Sequence, residues 1–161
     1  MLIEMFIKGV MIDPVTNMPI IILRDETADR TLPIWVGPVE ANAIALQIEN
    51  IAAPRPMTHD LLRQLATSLG ASITRVVITD LRDGTFFAYI QLDRAGDVVY
   101  VDARPSDALA LSLRSRAPIF VETSVLDQAR TVDIASPDEA DRERLQQWLE
   151  SLDPDDLGYK M

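Results

Sequence analysis

The 161-residue sequence contains no cysteine and one histidine, His59. The first absence excludes disulfides and thiolate metal sites. It points to a reducing compartment, so a cytoplasmic protein is expected. The second excludes a histidine-rich metal centre. No run of 18 apolar residues occurs, so no membrane-spanning helix is expected. The P-loop, the glycine-rich dinucleotide turn, HExxH and GxSxG are missing as well, which removes the standard nucleotide-binding, zinc-protease and serine-hydrolase signatures. The opening stretch MLIEMFIKGV has an acid at Glu4 and no basic leader, so it reads as a first strand rather than a signal peptide.

What is present is acid. The formal net charge is −10, and nine of the 25 acidic residues fall in residues 131–161 against three of the 15 basic ones. An acidic surface repels nucleic acid unless its charge is unevenly placed or cations bridge the contact. Here the imbalance is concentrated in the last 31 residues, and the rest is only mildly acidic. Only Lys8 and Lys160 are lysine. The remaining cations are arginines, which favour bidentate contact with carboxylate or phosphate.

A nonapeptide occurs twice. PVEANAIAL starts at Pro38 and PSDALALSL at Pro105, 67 positions later. Carrying that offset upstream sets Asp13 on Asp80, Asn17 on Gly84 and Ile34 on Val101. Each half then predicts strand, strand, strand, helix. The strands are Leu2–Ile12, Pro19–Arg24 and Thr31–Val36 in the first, and Ser72–Leu81, Thr85–Leu92 and Val98–Asp102 in the second, from alternation and β-branched content. The fold expected is α+β, an internal duplication over residues 2–49 and 72–115 around a β-sheet core. Proline suits the first helical turn and the acid after it, Glu40 or Asp107, suits the positive end of the helix dipole. That alone accounts for the motif structurally.

Between the halves, residues 57–69 predict a linking helix with Thr58 as cap, Gly70 as stop and a stripe of Leu61, Leu62, Leu65, Ala66 and Leu69 facing the core. His59 falls at the flank of that stripe. After the second half, APIFVE predicts a short strand and TSVLDQA a short helix. Residues 1–130 are read as one domain and 131–161 as an acidic helical extension. Ser136, Pro137 and Glu139 open the helix of that extension, and Leu145, Trp148, Leu149 and Leu152 edge it. It is expected to dock loosely or on a partner.

The candidate chemistry lies in carboxylates and arginines. Asp102, Arg104 and Asp107 fall within six residues where a strand meets a helix N-terminus. Such a junction suits a phosphate, a metal, or both; an internal Arg–Asp pair stiffening the turn is the alternative. Asp102 and Asp107 are the candidate ligands of Mg²⁺ or Mn²⁺, which take oxygen donors and activate water for phosphodiester cleavage. Glu40 is the repeat partner of Asp107, and His59 is a candidate acid or base. Arg104 and Arg114 are the candidate substrate-binding cations.

The stretches LPIWVGPVEANAIAL, PRPMTHDLL, VVITDLRDGTFFAYI and DARPSDALALSLRSRAPIFVE, in that order over about residues 1–130, resemble the bifunctional nuclease domain family. The resemblance implies hydrolysis of DNA and RNA with little sequence preference. It assigns no catalytic residues. Two readings stay open: a divalent-metal-dependent nuclease acting on nucleic acid, or a non-catalytic binding or regulatory module. A homo-oligomer, most simply a dimer, is expected.

Overall fold

The computed structural model describes residues 1–27, 30–129 and 139–152. The expectations for Ser136, Pro137 and the last nine residues lie outside that set. The fold is α+β. Seven strands form one sheet: β1 (Leu2–Ile12), β2 (Pro19–Asp25), β3 (Thr31–Trp35), β4 (Ala71–Arg82), β5 (Thr85–Arg94), β6 (Asp97–Ala103) and β7 (Ile119–Glu122). Five helices accompany it: α1 (Pro38–Ile48), α2 (Thr58–Ser68), α3 (Pro105–Ser115), α4 (Thr123–Gln128) and α5 (Glu139–Ser151).

The order across the sheet is β3-β2-β1-β7-β4-β5-β6. The two halves thus occupy opposite wings, and β7 lies between them. It pairs antiparallel with β1 and parallel with β4. Pro19 begins β2 and Pro33 lies on the edge strand β3, positions where a missing N–H is tolerated. Tight turns fix the second wing. Asp83 and Gly84 both have positive φ, 50° and 78°, as do Ala95 and Gly96 at 52° and 89°. Two consecutive left-handed residues make the hairpin turn that matches strand twist.

The halves share their order of elements, and α1 and α3 start 67 positions apart. Their outer strand pairs differ in register. Ile21 pairs with Ile34 in the first wing. In the second, Ala88 pairs with Ala103 and Ile90 with Val101, a slip of two residues from the same offset. Two irregularities in the β4–β5 ladder, against one in β1–β2, accompany that slip.

α1 and α3 pack on each other and on the two wings, α1 on β1 and β2, α3 on β4 and β5. Ala41 and Ala45, with Ala108 and Ala110, are buried there. Small side chains let the helices and sheet approach closely. Ile21, Leu23, Ile44, Val76, Ile78 and Leu109 fill the core between them.

Two expectations change. The stripe on α2 does not enter the core: Leu61, Leu62, Leu65 and Leu69 are all exposed, and His59 is the buried residue of that helix. α2 is docked by polar bonds at its amino-terminal end, described below, so the leucines remain outside. α5 is not a loose appendage. It packs on β1, and Trp148 joins the core with Leu145, Leu149 and Leu152 against it.

Candidate functional site

Three helix N-termini meet at one cleft. Proline at the first helical position starts both α1 and α3. The residues before them, Gly37 and Arg104, are extended, with φ −69° and −67°, as a following proline requires. Glu40 and Asp107 then fall in the first turns, where the helix dipole favours an acid. α2 brings Thr58 and His59. Its start is capped not by Thr58 but by Asp60, whose Oδ2 accepts the Met57 N–H at 3.0 Å.

The polar groups form one network. His59 Nε2 and Asp107 Oδ1 are 2.9 Å apart. Arg104 Nε donates to Asp107 Oδ2 at 2.9 Å, and Arg104 Nη2 donates to Glu40 Oε1 at 2.7 Å. Burial is graded along it: the His59 side chain is 6% exposed, Asp107 28% and Arg104 65%. Burial pushes the Asp107 carboxyl up, but hydrogen bonds from Arg104 and His59 outweigh it, and the net effect is a lowered pKa. Hydrogen bonds to Asp107 and then Glu40 raise that of Arg104. With Asp107 ionised, the shared hydrogen belongs to His59 Nε2. A neutral His59 then has its lone pair on Nδ1.

The cleft has a volume of about 490 Å³. Glu40, His59, Asp102, Arg104 and Asp107 all line it, so five of the six candidate residues come together. Asp102 is exposed, on β6 opposite Tyr89. Arg114 is elsewhere. Its side chain is 4% exposed, and its guanidinium donates to Asp60 Oδ1 at 2.8 Å, to the Ala43 carbonyl at 3.0 Å and to the Ala110 carbonyl at 3.1 Å. It ties α1, α2 and α3 together behind the cleft. Sequence reasoning misses the apolar part of the wall, which includes Leu62 and Ala66 of α2, Ile73, Leu92, Val101 and Leu111. Their apolar character is legible, but by itself it suggests core.

The donor set does not fit a resident Mg²⁺ or Mn²⁺. Arg104 bridges Glu40 and Asp107, so a cation already lies between these carboxylates. Both Asp107 oxygens are engaged. Among the described residues, no group of three or more His, Asp or Glu side chains is placed to hold a metal. The arrangement suits proton transfer at His59, oriented by Asp107, beside an exposed guanidinium.

A family model described as the bifunctional nuclease domain matches residues 21–133, which include every residue lining the cleft. An uncharacterized protein of Mycobacterium tuberculosis is 42% identical over 165 residues, covering 96% of this chain and 97% of its own. Bifunctional nuclease 2 of Oryza sativa subsp. japonica is 29% identical over 123 residues, 73% of this chain and 38% of its own length. Bifunctional nuclease 1 of Arabidopsis thaliana is 26% identical over 107 residues, 64% of this chain and 33% of its own. The chain thus spans 38% and 33% of the length of these two plant relatives.

Proposed function

The chain belongs to the bifunctional nuclease domain family, and on that ground we propose that it hydrolyses phosphodiester bonds of DNA or RNA at the cleft just described. The observation that carries this is the pair of buried His59 and partly buried Asp107 beside the exposed Arg104 guanidinium. In this reading Arg104 holds the phosphate. Asp107 keeps His59 in the tautomer that can accept a proton. As the oxygen of water bonds to phosphorus, its proton passes to His59, and the bond to the leaving sugar oxygen breaks. That oxygen takes a proton from solvent. Each group matches a known role in acid–base catalysis, typically contributing 10²–10⁴-fold.

Charge needs an account, because three carboxylates, Glu40, Asp102 and Asp107, accompany one arginine. The N-termini of α1, α2 and α3 each contribute about half a positive charge. Together they offset most of that excess, and free backbone N–H groups at a helix N-terminus favour an anion. No step requires a metal.

The test is cleavage of labelled DNA and RNA oligonucleotides by wild type and His59→Gln, with and without EDTA. We expect activity that survives EDTA and a loss of about 100-fold or more in the variant. Full activity in a folded His59→Gln protein ends this mechanism. Activity abolished by EDTA would mean that the phosphate arrives with its own cation.

The non-catalytic reading has one observation in its favour. Val98, Val99, Tyr100 and Val101 are exposed along the edge strand β6, and Val101 shares the cleft lining with the exposed Leu62 of α2. Such an edge is a template for strand pairing. It supports the expected homo-oligomer, with Arg104 as an internal brace. Val99→Lys, followed by light scattering, separates the cases: loss of a dimer with cleavage intact leaves the nuclease reading standing.

A further inference from the structure

We infer that the cleft accepts one unpaired nucleotide, base against the apolar wall and phosphate on Arg104, so that the substrate is single-stranded. This deepens the nuclease reading and rests on it for the identity of the ligand as nucleic acid.

The cleft lining combines two chemistries: the polar groups of Glu40, His59, Asp102, Arg104 and Asp107, and the six apolar residues from Leu62 to Leu111 named above. A nucleotide combines the same two: an anionic phosphate and a flat, mostly apolar base face. A volume of about 490 Å³ falls within the range of small-ligand clefts, roughly 300–1,000 Å³. Leu62 and Val101 are also near half-exposed. Covering them with a base removes apolar surface from water, which favours binding.

A stacked and paired base cannot use such a cleft. Its faces are covered by neighbours and its edge by its partner, so it must first leave the duplex, at a cost of a few kcal/mol. An unpaired strand has no such cost. Charge acts in the same direction. A duplex carries one phosphate per about 1.7 Å of axis and a single strand one per about 3.4 Å. A chain of net charge −10 therefore repels the duplex more strongly. Selectivity among bases should be weak. The only side-chain hydroxyl on the wall is Thr58 among the described residues, and contact with a base face is sequence-tolerant.

The test uses the full chain and adenosine 5′-monophosphate as probe. Its binding is compared by calorimetry with that of adenosine and of inorganic phosphate, in wild type and Leu62→Glu. Leu62 is exposed enough for the variant to fold, which circular dichroism checks. The nucleotide should bind at least about tenfold more tightly than either fragment, and Leu62→Glu should remove about tenfold of that affinity. In parallel, an oligonucleotide is assayed as a single strand and annealed to its complement. The single strand should be cleaved at least about tenfold faster. Equal cleavage of both forms, with no preference for the nucleotide over phosphate, overturns the inference and leaves the nuclease reading intact. Leu62-dependent nucleotide binding without any cleavage supports the cleft assignment and removes the nuclease reading instead.

Discussion

Gly37 and Glu40 compete for one space: a Cβ on Gly37 would lie 2.6 Å from Glu40 Oε2. Gly37 stands 67 positions before Arg104. Each precedes a helix-starting proline and lies three residues before an acid. The second half places a guanidinium where the first half places nothing. That one guanidinium serves both acids, Asp107 three residues on and Glu40 64 residues back. Had both positions carried arginine, two cations would crowd the same pair of carboxylates.

Gly37→Ala should therefore move Glu40 rather than unfold the protein. The backbone at Gly37 is extended and open to any residue, so reducing unfolded-chain freedom stabilises by about 0.4–1 kcal/mol. The end of a flexible glutamate can swing aside at small cost. We expect an unchanged or slightly raised Tm and a broken Glu40–Arg104 ion pair. The guanidinium resonances of Arg104, compared between the two proteins by NMR, report that break.

Asp107→Asn should cost cleavage far more than stability. Asparagine keeps the size but no longer favours one histidine tautomer, and the corresponding change in serine proteases is severe. A fall of roughly 100-fold or more in kcat, at constant KM, is expected. An unchanged kcat in the folded variant would show that Asp107 only braces the turn.

The same variant gives a pH signature. The folded pKa of Asp107 is lowered from 3.8. Its stabilising contribution is therefore complete above pH 3.8, and it is lost as pH falls through the lower folded value. The part of the stability gap between wild type and Asp107→Asn that comes from this carboxylate, read from denaturant midpoints, should close as pH falls below about 4. Asp13 and Asp80, also lowered, are common to both proteins and cancel.

Arg114→Met should weaken folding. Its removal leaves Asp60 without its cation and takes the guanidinium from two helix carbonyls. About 2–4 kcal/mol is expected in chemical denaturation, since Asp60 is partly solvated. Wild-type stability in that variant would mean that water replaces the guanidinium fully.

Trp148→Ala tests the packing of α5. Trp148 is 7% exposed, and no α5 residue lines the cleft. A loss of about 3 kcal/mol is expected, with cleavage unchanged at temperatures where the variant is folded. Loss of cleavage in folded protein would assign the helix a role at the cleft.

Much of this architecture is legible in the amino-acid order alone. Proline at positions 38 and 105 starts a helix because no N–H is needed there, and both helices begin at those residues. The turns at Asp83–Gly84 and Ala95–Gly96 hold left-handed pairs, of which the first is evident as a turn from its residues. The α2 stripe misleads for a physical reason. Periodicity reveals that a helix has an apolar face, not what that face meets. The orientation of α2 is set by His59–Asp107 and Asp60–Arg114, contacts across 48 and 54 positions. Local pattern carries no trace of them. The place of β7 is equally hidden, since four residues of apolar sequence do not say between which strands they fit.

That placement bears on how the chain acquires its shape. β1 and β4 each reach β7 but do not reach each other, so the sheet is continuous only through residues 119–122. A nascent chain that has not yet released those residues holds two separate antiparallel wings. The pairing of β1 with β7 joins residues more than a hundred positions apart, and such distant closure is slow. Synthesis therefore leaves the inner edges of both wings open until the keystone strand emerges. During that interval the chain is most exposed to pairing with the wrong partner.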